Sequence, residues 1–383
     1  MWKTDLGDFS KIDSVAALEY WLKAQETEMA IAVGVRAALR GVPLILADGP
    51  NYFQSPRTEL HSLRALLSLA QLATRELSVE GRWTFQNLTR ELAYPATLKD
   101  FSNATRNPEL AAVSSATAIS FDGYAGSAGD TVSFSASDKT GGKWALSAAL
   151  TDPEPGQYLD SHDVLEKPLW PANIASASTL GAWASFRHTM EGSTTWAFWT
   201  AWFQGFLDGK PLDWELQRRV ALIEDAVWEA GPEAVAKEIE RIRTKFELEQ
   251  EVATLKEQLS AQQQALARNP QIGDNGGPPM DGPNAKAFKK DLVLIWSDIE
   301  ELETELAKPE PSPSVLKRVA QSLSEIALRI AAYCGATMDV SVKAAAKAFG
   351  ATMGPVGATE IVKPGSIDAV AKAIGKFLTS LAH

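Results

Sequence analysis

Phe288-Lys-Lys-Asp-Leu292-Val-Leu-Ile295-Trp-Ser-Asp-Ile299-Glu-Glu-Leu302-Glu-Thr-Glu-Leu306 places its apolar residues at alternating spacings of four and three. That is the period of one face of an α-helix, held for too long to be a strand. It predicts a helix over 285–307, ended by Pro309, Pro311 and Pro313. Leu316, Val319, Leu323, Ile326 and Ile330 continue the alternation in a second helix over 314–334, with Gly335 as its C-cap. Upstream, 233–268 reads as a long charged helix. Val235, Ile239, Ile242 and Phe246 share one register, and Val252, Leu255, Leu259 and Leu266 share another. The register slips near 247–252, as at a stammer. Residues 269–284, rich in Gly, Pro, Asn and Asp, read as a linker.

Seven-residue apolar repeats on successive helices imply a coiled-coil hairpin or small bundle over 231–335. The first helix is about 54 Å long at ~1.5 Å per residue, against ~33 Å for either partner. Part of it is therefore free to seek another subunit. Leu292, Ile295, Ile299 and Leu302 are the candidate assembly residues, and the expected partner is the chain itself or another helical protein. The alternative is a seam that closes within one chain.

The second dense feature is Trp196-Ala-Phe-Trp199-Thr-Ala-Trp202-Phe-Gln-Gly-Phe206-Leu-Asp-Gly-Lys-Pro-Leu-Asp-Trp214. Tryptophans at i, i+3 and i+6 share a broad helical face. Trp170, Trp183 and Trp228 lie near in sequence. Such a stripe is either the packed core of a domain or an aromatic groove, with Trp196, Trp199, Trp202, Phe206 and Trp214 as the candidate binding face. Around it, helices are expected over 14–40, stopped by Gly41 and Pro43, and from Ser55-Pro56 to about Leu77. Further helices are expected over 83–94, ended by Pro95, and over 143–150, 157–166, 178–190 and 194–207. Asp213 caps another from Trp214 to Leu222, and Gly231-Pro232 opens the long charged helix. Arg36 and Arg40 suit the last turns of the first helix as cations near a C-terminus. The Ser-, Ala- and Gly-rich stretch before residue 142 has no clear period, although Thr131–Ala136 alternates like a strand.

Composition sets limits on function. The chain has 383 residues, 45% of them hydrophobic, and a formal charge of −11. That balance argues against nucleic acid as a partner, which needs clustered cations. One cysteine, Cys334, rules out a disulfide framework and a cysteine metal cluster. With no apolar leader and no run long enough to span a bilayer, the expected location is the cytoplasm.

The tryptophan-rich helix 196–202, the segment Leu207-Asp-Gly-Lys-Pro-Leu-Asp-Trp214, and Ala221-Leu-Ile-Glu-Asp-Ala-Val-Trp-Glu-Ala-Gly-Pro232 carry a resemblance. Gly273-Asp-Asn-Gly-Gly-Pro-Pro279 and Val35-Arg-Ala-Ala-Leu-Arg40 add to it. In these segments the chain resembles a family of uncharacterised bacterial proteins that share a Trp-rich helix followed by an L-x-G-x-P-L-x-W segment. The resemblance covers part of the chain and implies a domain layout without a mechanism.

No phosphate-binding glycine loop, nucleophile elbow or zinc-protease motif occurs. Gly123, Gly126 and Gly129 have the wrong spacing for a phosphate cradle. The histidines are His61, His162, His188 and His383, and only His162-Asp163 suggests an oriented base. Adjacent helical residues diverge, so that pairing is geometrically poor. No cofactor and no metal site is expected.

The tail, 336–383, is small-residue-rich and ends in an amphipathic segment opened by Ser366. Residues 311–383 carry eight Lys or Arg against four Asp or Glu, 8 − 4 = +4. Ile374, Phe377 and Leu378 would insert at an anionic membrane surface, with Lys372 and Lys376 on the other face, or the same apolar face would dock on protein. The chain is thus expected to be mainly α: a Trp-rich helical domain over 1–230, a coiled-coil hairpin or bundle over 231–335, and a basic amphipathic tail. The function expected is a non-enzymatic adaptor, cytoplasmic or peripheral at the inner membrane face. The alternatives are a membrane-perturbing effector with a restrained tail and, least of all, an enzyme using the aromatic groove.

Overall fold

A computed structural model describes residues 12–47, 56–74, 77–100, 148, 160–171, 177–268, 283–335 and 364–382. Among the described residues there are thirteen α-helices and no strand, so the chain is mainly α. Helices α1 to α4 are Val15–Leu22, Thr27–Ala47, Pro56–Leu72 and Val79–Asp100. Helices α5 to α9 are Ser161–Leu165, Ala177–Thr189, Ala197–Asp208, Trp214–Ala221 and Asp225–Ala230. Helices α10 to α13 are Pro232–Arg268, Pro283–Leu306, Pro313–Gly335 and Pro364–Ala382. The expected strand at 131–136, the helix at 143–150, residues 269–282 of the linker and the glycines at 123, 126 and 129 lie outside the described residues, Ala148 excepted.

The chain divides into two compact units, Met1–Ile239 and Glu240–His383. Of the tail, 364–382 is described, as α13, and it falls within the second unit. Helix α10 begins in the first unit and ends in the second. Val235 and Ile239 are buried before the division, and Leu248, Val252, Leu255 and Leu259 are buried after it. The register slip near 247–252 therefore follows the point where one continuous helix exchanges one core for another.

In the first unit, the expected helix 14–40 is two helices. Ser14 caps α1, its Oγ accepting from Ala17 N at 3.2 Å, and a turn over 23–26 precedes α2. Gly41 and Pro43 do not stop α2, which continues to Ala47. Proline at 43 removes one donor from the helical ladder, but Val42 and Leu46 beside it are buried, and that burial outweighs the lost bond. Pro95 likewise lies inside α4. Helix α3 ends at Leu72 rather than near 77, where Thr74 folds its N–H and hydroxyl back onto the Gln71 carbonyl at 3.1 and 2.7 Å.

Arg36 and Arg40 are almost fully buried instead of facing solvent at a helix end. Arg36 donates to the carbonyls of Val164 (3.0 Å), Lys167 (2.7 Å) and Pro168 (2.7 Å). Arg40 donates twice to Leu169 O, at 3.1 and 2.8 Å, and lies 5.6 Å from the Trp170 ring centre. Arg64 of α3 repeats the arrangement. It donates to Ala221 O (3.3 Å) and Ile223 O (2.8 Å), pairs with Asp225 at 2.5 Å, and lies 4.8 Å from the Trp228 ring centre. Val164 and Ala221 sit in the last turns of α5 and α8, where carbonyls lack helical partners further along the chain; Val164 O also accepts from Lys167 N at 3.4 Å. A cation there meets both these carbonyl oxygens and the negative helix end.

The second unit is a four-helix core in which α10, α11, α12 and α13 each contribute apolar residues. Lys256 of α10 pairs with Glu303 of α11 at 2.7 Å. Along α11 and α12, Asp291 pairs with Arg329 (2.8 Å), Asp298 accepts from the Ser322 hydroxyl (2.6 Å), and Glu301 pairs with Arg318. Partner numbers fall as numbers rise, so α11 and α12 are antiparallel. Thr244 with Ser380 (2.8 Å) and Glu247 with Lys376 (3.5 Å) set α13 antiparallel to α10 by the same logic. Asp291, Asp298 and Glu305 lie seven apart on α11 and are all buried, forming a polar row beside the seam.

Two acids in this row titrate in opposite directions. Burial pushes the Asp298 carboxyl above its usual range, and the Glu301 charge adds to this against the Ser322 hydroxyl and the Arg318 charge. The Lys308 ammonium and the Ser312 N–H hold Glu305 below its usual range. A raised carboxyl favours the fold while protonated, so its contribution is lost as pH rises through the raised value. Glu305 contributes above the ordinary value and loses that contribution as pH falls through its lowered one. Asp298→Asn is therefore expected to stabilise the second unit, with a gain over the unmodified chain that grows from about pH 4 towards neutrality. Urea titration followed by circular dichroism checks this, and a gain that shrinks with pH contradicts it. In the first unit, Arg36→Met is expected to cost about 3 kcal/mol by stranding buried carbonyls. The loss is read from denaturation followed by tryptophan fluorescence, which reports mainly on that unit because only Trp296 lies beyond Ile239.

Candidate functional site

Asp213 opens α8 by accepting from Glu215 N (2.8 Å) and Leu216 N (3.3 Å). Just before it, Gly209 ends α7 with φ of 67°, and a Cβ there would stand 2.5 Å from Pro168 N. Glycine is needed on both counts. Leu169 N donates to Phe206 O at 3.0 Å, so the turn carrying Trp170 lies against the end of α7.

This local order turns the tryptophan stripe inward. Trp199, Trp202 and Phe206 are buried, with Phe203 beside them, and only Trp196 and Trp214 keep part of their surface. The rings meet edge to face: Trp199 and Trp202 at 5.7 Å and 86°, Trp202 and Phe206 at 5.4 Å and 79°. Each such pair contributes about 0.5–1.5 kcal/mol beyond its buried area. The polar edges are also satisfied. Trp202 Nε1 donates to Gln217 Oε1 (2.8 Å), Gln217 Nε2 donates to Leu212 O (2.6 Å), and Trp228 Nε1 donates to Ile223 O (3.1 Å). An open binding face built from all five residues is therefore replaced by a core with two half-exposed members.

The histidine reading also changes. His162 Nε2 meets Glu166 Oε1 at 3.2 Å, one turn on, while Asp163 accepts from Asp160 N (3.3 Å) to close a capping box. His188 is exposed and lies 3.8 Å from Glu191. Among the described residues, no group of three or more His, Cys, Asp or Glu is placed to hold a metal ion.

Leu292, Ile295, Ile299 and Leu302 are buried in the four-helix core, so this seam is occupied within the chain rather than offered to another subunit. Ile374 and Phe377 are fully buried in the same core, and Leu378 packs at its edge. Lys372 pairs with Asp368 at 2.6 Å, and Lys376 with Glu247. The candidate membrane face is thus covered by the bundle. Ile367, Val370, Ile374 and Phe377 together are worth roughly 6–12 kcal/mol of burial. Two lysines at an anionic surface offer only about 1 kcal/mol each. Undocking would expose that face and the apolar residues it packs against. Among the described residues, no helix is long and apolar enough to cross a membrane.

What the bundle leaves outside is different. Val293 (68% exposed) and Leu294 lie on α11, and Leu328 (71%) lies on α12. Tyr20, Val79 and Trp83 are the corresponding exposed residues of α1 and α4. Reading by heptads passes over such positions because they fall outside the repeat. Their signal was an apolar residue on the charged face.

Comparison with protein-family models, with curated proteins and with solved structures finds no match.

Gln217→Leu would strand the Trp202 indole N–H and the Leu212 carbonyl. It is expected to cost about 2–3 kcal/mol in chemical denaturation and to shift the tryptophan emission of the folded state. No change in stability would contradict the role assigned to Gln217.

Proposed function

We propose that the chain is a non-enzymatic adaptor that binds itself or another helical protein through the outer surface of its second unit. The observation that carries this reading is the contrast on α11, where Leu292, Ile295, Ile299 and Leu302 are buried while Val293 and Leu294 stand outside. Leu328 on α12 adds a further exposed apolar side chain. Large apolar residues on an otherwise charged helical surface suit the apolar face of a partner helix. The seam supplies stability and the outer residues supply contact, so assembly and folding separate by mutation. Sedimentation velocity is expected to show self-association that Val293→Asp with Leu328→Asp weakens tenfold or more, about 1.4 kcal/mol, without loss of helicity. Ile295→Asp should instead unfold the second unit. A chain that stays monomeric at all concentrations sinks the self-association arm, and association unchanged in the double variant sinks the proposed surface.

A second reading, a membrane-perturbing effector acting at the inner membrane face, draws support from α13, whose apolar side is sequestered while Lys372 and Lys376 are exposed. On that reading, anionic vesicles release dye with the unmodified chain and retain it with Lys372→Glu and Lys376→Glu. Equal leakage from both, or none from either, counts against it.

A further inference from the structure

The large apolar side chains that the second unit leaves in solvent, among its described residues, are Val293 and Leu294 on α11 and Leu328 on α12. The antiparallel pairing of the two helices fixes their relative heights. Asp291 meets Arg329 at 2.8 Å, and Asp298 accepts from the Ser322 hydroxyl at 2.6 Å. Leu328, one residue before Arg329, is therefore level with Leu292 and beside Val293 and Leu294. Leu292 and Ile295 of α11, and Ile326 and Ile330 of α12, point into the core. At 3.6 residues per turn, Leu294 and Leu328 emerge on the solvent side of their helices. Packed helices run about 8–10 Å apart, so the three side chains form one patch.

Two charges frame that patch. Lys290 lies three and four residues before Val293 and Leu294, and Glu325 lies three residues before Leu328, so each shares a face with its apolar neighbours. Both are exposed. The charges around them are already engaged, Arg329 by Asp291 and Glu301 by Arg318. No ion pair of Lys290 or Glu325 occurs among the described residues. By the same pairing, Lys290 is level with Ile330 and Glu325 with Ile295. The cation and the anion thus sit at opposite ends of the patch, on different helices, with the apolar residues between them.

Such an arrangement is self-complementary. A two-fold axis brings residue i of one copy to residue j of the other, and j to i. An axis through the apolar residues, crossing the line from Lys290 to Glu325, sets each Lys290 against the partner's Glu325. We propose, taking the outer surface of the second unit as the place of contact, that its occupant is a second copy of this chain. The copies meet symmetrically, with the apolar residues at the centre and two Lys290–Glu325 pairs at the rim. The apolar centre is small, so the contact is weak and concentration-dependent. The rim charges select the partner more than they add affinity.

Sedimentation velocity of the full chain over a concentration series tests this with Lys290→Glu and Glu325→Lys, alone and mixed in equal amounts. Each single variant sets like charges together twice in every dimer and is expected to self-associate about fivefold more weakly. The deficit shrinks in about 0.5 M salt, and helicity is unchanged because both positions are exposed. The mixture is expected to regain the association of the unmodified chain, because every rim contact between the two variants then joins opposite charges. Single variants that associate normally, a mixture no stronger than its parts, or a chain that is monomeric throughout overturns the proposal. Val293→Asp with Leu328→Asp separates the two levels of failure. Association abolished by that pair but not restored in the mixture rejects the symmetric second copy and keeps the surface. Association that survives the pair rejects the surface itself.

Discussion

The apolar seam of the second unit is the constraint on which the reading of this molecule depends. Three of its helices carry a seven-residue repeat, and α13 packs its apolar side into the same core. Once Ile367, Val370, Ile374 and Phe377 are buried there, the same residues cannot meet a bilayer or a second subunit without undoing the core.

The first unit answers a different constraint. Short helices that end inside a core leave carbonyls without partners. Arg36, Arg40 and Arg64 reach across from α2 and α3 to supply them, and two of the three also lie against tryptophan faces. A guanidinium is suited to this because its five donors lie in one plane and it is weakly hydrated for a cation. The long-range order of the unit therefore depends on polar bonds as well as on its aromatic core. The polar row Asp291, Asp298 and Glu305 has a comparable place in the second unit, where its partners on or next to α12 match a single pairing of the helices.

The helices were legible because their signals are local. The 4-3 spacing of Leu292 to Leu306, the Asp213 cap and the proline at 232 each act within a turn or two, and the observed ends fall within a few residues of those expected. Pro43 and Pro95 misled, because both lie inside helices, and at Pro43 the local cost was outweighed by burial of Val42 and Leu46. The inward turn of Trp199 and Trp202 was one of two readings, and only tertiary contacts with Gln217 and Trp228 decided it. The buried arginines were read as cations at a helix end. Their signal was present, since Arg36 and Arg40 stand one turn apart in a helix whose neighbours are Val33, Val35, Ala37, Ala38 and Leu39. Their partners lie more than 120 residues away, where no local pattern reaches. Val293, Leu294 and Leu328 were missed because a repeat draws attention to the residues that obey it.

Helix α13 is an integral stave of the second unit, its apolar side buried in the four-helix core. Amide hydrogen exchange across α13 tests it most directly. The account predicts that amides of 367–377 are protected to the same free energy as those of 292–302 and 316–330, and remain so when anionic vesicles are added. Exchange in α13 well before the other three helices, or protection that changes on adding vesicles, would contradict it and return the tail to the role of a detachable segment.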